Sequence, residues 1–248
     1  MSIFSKKKCN PRVRYEHQIS LPEITASGQK QLQSARVAII GVGGLGSIAA
    51  ELLVRMGVGA LDLYDDDHIV ESNLQRQTLF NEEDIGQKKV SVLARELQKI
   101  NSGVTITPHD VLITEDSITQ VDAPFLLDCV DNVRTRLIIN EYCHKHNIPW
   151  IHMATAGTTG TVFVPGEVCF NCIYALKEEL GDCTKSGILP TTNHITVSHG
   201  IIELFKLIAG KEPVRTMLRI NTWSHNISHL AVKRNPLCNV CKKKYDYF

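Results

Sequence analysis

Apolar positions along the chain fall into short unbroken runs that alternate with stretches of helical spacing. Residues 36–40 (RVAII) form a continuous apolar strand signal that ends in glycines, and over 45–56 the apolar residues recur at the interval of one helix face. Residues 60–64 repeat the strand signal and end in Asp65, Asp66 and Asp67, closing a strand–helix–strand unit of about thirty residues. This predicts a parallel sheet. The alternation continues with a helix over 87–101, a strand over 104–107, a buried strand over 124–129 and a helix over 133–146. From Trp150 the pattern changes to strand-like segments at 150–154 and 160–164, followed by a turn-rich stretch containing cysteines. A long helix over 192–209 and two late strands, 217–222 and 227–232, complete the reading.

With 248 residues there is ample chain for a hydrophobic core, and one large α/β domain is expected. The net charge of +1 gives no basic footprint for a nucleic-acid partner. The start, MSIFSKKKCN, is basic but lacks a following apolar run, so it reads as neither signal peptide nor membrane anchor and a cytoplasmic protein is expected. In a reducing compartment the eight cysteines point to metal binding or catalysis rather than to disulfides.

The candidate chemistry begins at Gly41, Gly43, Gly44 and Gly46, which fit G-x-G-x-x-G between a strand and a helix. Glycines there let backbone N–H groups approach phosphate oxygens at the helix N-terminus. Asp65 ends the next strand, where a carboxylate can accept hydrogen bonds from ribose hydroxyls. The same fingerprint serves NAD, so the loop alone allows a nicotinamide oxidoreductase. Beyond it, Asn73, Gln75, Arg76 and Gln77 are packed into DDDHIVESNLQRQTLF, and Lys89 opens the next helix. Arg and Lys beside a glycine loop suit ATP and a departing pyrophosphate better than a dinucleotide. Asp131 follows the strand 124–129 at its C-terminal end, where it can hold Mg²⁺ against the phosphates, cap the next helix, or do both.

Cys169, Cys172, Cys238 and Cys241 form two CxxC pairs, a set able to hold Zn²⁺ with four thiolates and no open position, hence structural. Cys183 lies in the polar stretch GDCTKSG near Lys185 and is a candidate nucleophile.

RYEHQI at 14–19, GVGGLGS at 41–47, the 65–80 segment, GQKKV at 86–90, LLDCVDN at 126–132 and the two CxxC pairs together resemble the MoeB/ThiF/HesA family, relatives of ubiquitin-activating enzymes. The resemblance implies a Rossmann-like, mainly parallel α/β sheet with helices on both faces, extended by antiparallel strands and a four-cysteine zinc site. It implies one adenylation domain over 1–248: a helical arm at 1–35, a nucleotide-binding core at 36–150, and a carrier- and zinc-binding part at 151–248. It implies an adenylyltransferase in which Asp65 binds ribose, Asn73, Arg76 and Lys89 surround the phosphates, and Asp131 binds catalytic Mg²⁺. The implied acceptor is the C-terminal glycine of a small ubiquitin-like sulfur-carrier protein with a Gly-Gly tail. A homodimer and a separate sulfur donor are also implied. A peptide or natural-product carboxylate is the alternative acceptor.

Two departures stand out. Family members commonly read RYxRQI, the second arginine reaching a partner's triphosphate, whereas this chain has His17 there and keeps only Arg14. Residues 188–200 (ILPTTNHITVSHG) are less glycine-rich than the family pattern and carry His194 and His199, so recognition of the acceptor's tail is expected to differ. Cys183 matches the family's crossover-loop cysteine, which forms a covalent bond to the carrier in some members and is dispensable for adenylylation in others.

Overall fold

A computed structural model describes residues 10–174 and 187–248. The chain begins with α1 (Pro11–Arg14), α2 (Glu16–Ile19) and α3 (Thr25–Ser34). Asn10 caps α1 by accepting from Arg12 N–H, and Pro11 stands at the first helical position, where its missing N–H costs nothing. This arm is tied to the body by polar contacts as well as packing. The Gln29 amide donates to Met56 O at 2.9 Å, and the Tyr15 hydroxyl accepts from Asn101 Nδ2 at 2.9 Å.

Next come β1 (Arg36–Ile40), α4 (Gly46–Met56), β2 (Ala60–Tyr64), α5 (Lys89–Ile100), β3 (Thr105–His109), β4 (Phe125–Asp128), α6 (Val133–His146) and β5 (Trp150–Ala156). The remainder supplies β6 (Thr159–Phe163), a short α7 (Phe170–Tyr174), the long α8 (Pro190–Ile208), β7 (Met217–Asn221) and β8 (Asn226–Leu230). The strands form one sheet in the order β3-β2-β1-β4-β5-β6-β7-β8. The first five are parallel and the last three are added antiparallel. The expected Rossmann-like parallel sheet with an antiparallel extension is therefore present.

Because successive strand residues face opposite sides, β1 feeds two cores. Val37 and Ile39 pack with Leu53 of α4, Leu93 of α5 and Leu204 of α8. Ala38 and Ile40 pack with Ile138 and Ile139 of α6 and with Trp150. Burial on both faces is what makes the parallel strands read as unbroken apolar runs. α4 stops at Gly57, whose φ of 85° is the left-handed geometry of a helix C-cap. Strand order reverses around β1, with β2 on one side and β4 on the other, which opens a crevice at the carboxyl ends of these strands.

Candidate active site

The crevice is shaped first by the glycines. Gly41 leaves β1 with φ 84°, and a Cβ there would lie 2.9 Å from the Cys129 carbonyl oxygen at the end of β4. A Cβ on Gly44 would lie 2.6 Å from Asn193 Nδ2, and one on Gly46 only 1.9 Å from the Gly41 carbonyl oxygen. Gly46 differs from the other three in position. It is buried at the start of α4 and lies off the cavity lining, so its small size serves the close approach of helix to loop, whereas Gly41, Gly43 and Gly44 line the cavity.

That cavity has a volume of about 500 Å³ and also takes in Asp65, Asn73, Arg76, Lys89 and Asp131. Folding therefore gathers the nucleotide-site residues named from the sequence, with Gly46 and Gln75 off the lining. The Asp65 carboxylate accepts from Val42 N–H at 2.8 Å and from Asp67 N–H at 2.9 Å, which fixes it against the glycine loop. Burial pushes its pKa up, with Lys89 opposing. Lys89 is itself buried and pairs with the exposed Asp67 at 2.6 Å, so its ammonium is held at the cavity by a partner that solvent can replace. Arg76 Nη1 donates to Ser72 O at 2.8 Å, which orients the guanidinium from one side only. Asp131 is exposed on the lining. The helix cap falls to its neighbour: Asn132 Oδ1 accepts from Thr135 N–H at 2.9 Å, so Asp131 does not cap α6 and its carboxylate remains available.

Gln77, named from the sequence with the polar set around Arg76, also stands on this lining, together with residues to which the sequence assigns no role. Gln77 is buried, and its Oε1 has no hydrogen-bond partner among the described residues. A buried acceptor in that state is suited to a ligand donor. Arg136, on the first turns of α6, donates from Nη2 to Val130 O at 2.6 Å and sets Nε 3.6 Å from the Asp128 carboxylate. Asp128 is fully buried and also takes a 2.7 Å bond from His152 Nδ1. Burial holds the His152 imidazole below its ordinary pKa, with Asp128 opposing. Thr155 and Asn193 complete this wall. Asp128 was detectable as a lone carboxylate ending an apolar run. Arg136, Thr155 and Asn193 carry no local signature, since only the sheet order and the return of α8 bring them to the crevice; His152 lies off the lining, paired with the buried Asp128.

The four CxxC sulfurs converge. Cys169 Sγ lies 3.8 Å from Cys172, 3.5 Å from Cys238 and 3.4 Å from Cys241, with Cys172 and Cys241 3.5 Å apart. Ligand atoms of all four residues lie within 4.8 Å of one another. A tetrahedron with Zn–S bonds of ~2.3 Å has edges of about 3.8 Å, so the set fits a tetrahedral metal and is too open for disulfides. Among the single cysteines, Cys143 is buried as a packing residue, and Cys129 is buried beside the glycine loop with its thiol pKa pushed well up by burial. Cys9, Cys183 and Lys185 lie outside the described residues. Arg14 Nη1 donates to Ile100 O at 3.0 Å within its own chain, and His17 is exposed.

Comparison with known proteins places this geometry. A family model described as the ThiF family matches residues 15–240. The chain belongs to the ThiF family. Among curated relatives of this ThiF-family chain, the sulfur carrier protein ThiS adenylyltransferase of Bacillus subtilis is 35% identical over 242 residues, spanning 93% of this chain and 72% of that one. The molybdopterin-synthase adenylyltransferase of Salmonella typhimurium is 34% identical over 238 residues, spanning 92% and 96%. Among solved structures, Escherichia coli MccB with ATP superposes with a TM-score of 0.80 at 25% identity, covering 96% of this chain and 75% of that one.

Proposed function

We propose that the chain adenylylates the C-terminal glycine carboxylate of a small ubiquitin-like sulfur-carrier protein, consuming ATP and releasing pyrophosphate. The observation that carries this reading is the cavity in which a glycine loop, Asp65, the cations Arg76 and Lys89, and an uncapped Asp131 face one another. Relatives named for adenylylation of sulfur carriers support the acceptor.

In this reading a carrier carboxylate oxygen bonds to the α-phosphorus while the bond to the bridging oxygen of pyrophosphate breaks, leaving an acyl-adenylate. Asp65 holds the ribose hydroxyls, and the loop N–H groups receive the phosphates. Asn73 lends an amide to the phosphates, while Arg76 and Lys89 meet the charge that grows on the departing pyrophosphate. Asp131 would hold Mg²⁺, which would supply neutralisation of phosphate charge; a free, solvent-facing carboxylate on the lining fits that task. No group in the cavity needs to remove a proton, because the nucleophile is already a carboxylate.

Cys169, Cys172, Cys238 and Cys241 would hold a structural zinc. Residues 1–35, 36–150 and 151–248 would divide one adenylation domain into arm, nucleotide core, and carrier- and zinc-binding part, acting in the cytoplasm as a homodimer with a separate sulfur donor. Cys183 is kept as the candidate for later covalent chemistry, downstream of adenylylation. The test is ATP–pyrophosphate exchange with a panel of Gly-Gly-tailed carriers. Exchange with one carrier supports the reading, and silence with all of them overturns it.

A second reading, a peptide carboxylate as acceptor, is favoured by one observation: solved structures of MccB, including a complex with N-formylated MccA, superpose with TM-scores near those of the ATP complex, at 0.81 against 0.80. Exchange with peptides and not with carriers would select it.

A further inference from the structure

Two polar residues on the cavity wall are not among those assigned above to ribose or phosphate. Thr155 stands near the end of β5 and Asn193 in the first turn of α8; they are 8% and 1% exposed, yet both line the cavity next to Gly44. Thr155 Oγ1 donates to Asn193 Oδ1 at 2.9 Å, and Asn193 Nδ2 donates to the Gly44 carbonyl oxygen at 3.3 Å. One relay of hydrogen bonds thus joins β5, α8 and the glycine loop. It is reinforced just beyond β5, where Gly157 N–H donates to Gly187 O at 2.9 Å and Leu189 N–H to Gly157 O at 3.3 Å.

The relay leaves two valences open. A primary amide has two N–H groups, and the second of Asn193 makes no bond among the described residues. A threonine hydroxyl has one proton, already given to Asn193, so what Thr155 still offers is an acceptor. Phosphate oxygens only accept, so Thr155 in this orientation cannot serve them. Leu112, Ile113 and Val130 give the cavity an apolar wall suited to the adenine base. One open donor and one open acceptor, side by side at the phosphate end of the cavity, complement a secondary amide, which presents one C=O and one N–H.

We propose that Thr155 and Asn193 bind the last peptide unit of the acceptor, Thr155 Oγ1 accepting its N–H and Asn193 Nδ2 donating to its C=O, so that the terminal carboxylate is positioned for attack. This rests on the adenylylation reading and adds to it how the acceptor is recognised. The main chain is read, not a side chain, which suits a glycine terminus. Asn193 belongs to the 188–200 segment whose sequence departs from the family pattern. The altered segment thereby acquires a recognition task.

The experiment is ATP–pyrophosphate exchange by the full chain with a Gly-Gly-tailed carrier prepared in two forms, one natural and one with an ester oxygen in place of the last amide N–H. One neutral hydrogen bond corresponds to about a tenfold effect. Thr155→Val is therefore expected to raise the KM for the natural carrier about tenfold while the KM for ATP stays within about twofold, and Thr155→Ser is expected to restore it. The ester carrier should carry the same penalty with the unmodified chain and none beyond it with Thr155→Val. Asn193→Ala should likewise raise the carrier's KM. An unchanged carrier KM in Thr155→Val overturns the proposal, as does an ester penalty equal in both proteins, or a KM for ATP that rises as far as the carrier's. No exchange by the unmodified chain with any carrier or peptide overturns the function itself, whereas normal exchange that the variants leave untouched overturns only the peptide-unit role.

Discussion

Asp131 and Asn132 are adjacent on the same lining and do different work. Asn132 closes the first turn of α6 through Thr135 N–H, while Asp131 makes no such bond. Asn132→Ala should therefore lower unfolding free energy by ~1 kcal/mol, the usual value of an N-cap, and Asp131→Ala should leave it unchanged. The same Asp131→Ala protein should lose roughly a hundredfold or more in pyrophosphate exchange, as expected for removal of a group that manages charge at the reacting phosphates. Denaturant melts beside exchange assays separate the two, and full exchange in Asp131→Ala would remove it from the site. His152 supports a pH prediction. Burial depresses its folded pKa below the ordinary histidine value, so as pH falls past that value the unfolded chain takes up a proton that the folded chain resists. Stability should be highest above the ordinary value and should decline through the acidic window below it; His144 and His199, also depressed by burial, act with the same sign. His152→Gln should flatten that decline in melts run between about pH 7.5 and about pH 5, a range that spans the ~6.5 where an unperturbed histidine titrates. An equally steep decline in the variant would assign it to other groups. Asp65, Lys89 and Asp131 were readable because each sits within a few residues of a strand end or helix start, and Arg76 because it falls in the polar segment that follows β2. The Arg136, His152, Thr155 and Asn193 side chains were not, because their neighbours are set by which strands pair.

At the level of elements, the strand–helix–strand unit was legible almost to the residue, since both faces of the parallel strands are buried and the apolar runs have no gaps. Boundaries shifted where local chemistry outweighs periodicity. α8 begins at Pro190 rather than near Thr192, because proline is favoured at a first helical position and the two polar threonines that follow are tolerated inside the helix. The brief α7 carries no apolar period long enough to detect. The glycine loop divides into two halves with separable predictions. Gly46 is where α4 meets β1, and a methyl group there lands on the Gly41 carbonyl oxygen. Gly43 has ordinary room, its nearest neighbour being Gln77 Nε2 at 3.4 Å. Gly46→Ala should cost stability by roughly 1–3 kcal/mol, the range for forced overpacking. Gly43→Ala should leave the melt near that of the unmodified chain and raise the KM for ATP, since its methyl group would stand on the surface that receives phosphate. Equal melting temperatures for both variants would contradict this division of the loop.

Across the whole molecule, the site is assembled by the parallel half of the sheet and bounded on its far side by Thr155 of β5 and Asn193 of α8, and the four-cysteine cluster ties the end of the chain back to the segment after β6. Cys169 immediately precedes the short α7 and Cys172 lies within it, while Cys238 and Cys241 sit near the C-terminus, which folds onto α6 through Tyr247 N–H to Glu141 Oε2 at 2.9 Å and Tyr245 to His144 at 3.1 Å. α6 is also the helix that carries Arg136 and follows Asp131. The cluster itself packs only a few residues, Val168, Val240 and Tyr245 beside the cysteines, too few to hold this corner by burial alone. If a tetrahedral metal closes it, its binding energy is stability that the apo chain lacks. A strong chelator should then lower the melting temperature by several degrees, given ~2–4 °C for each kcal/mol in a chain of this length. Cys241→Ser should reproduce most of that loss without chelator, and elemental analysis of the purified protein should give about one zinc per chain, as a closed set of four thiolates requires. A protein that carries no metal and melts at the same temperature with and without chelator would leave four reduced thiols packed as small apolar groups, and the corner would have to be held by the contacts of the last residues with α6.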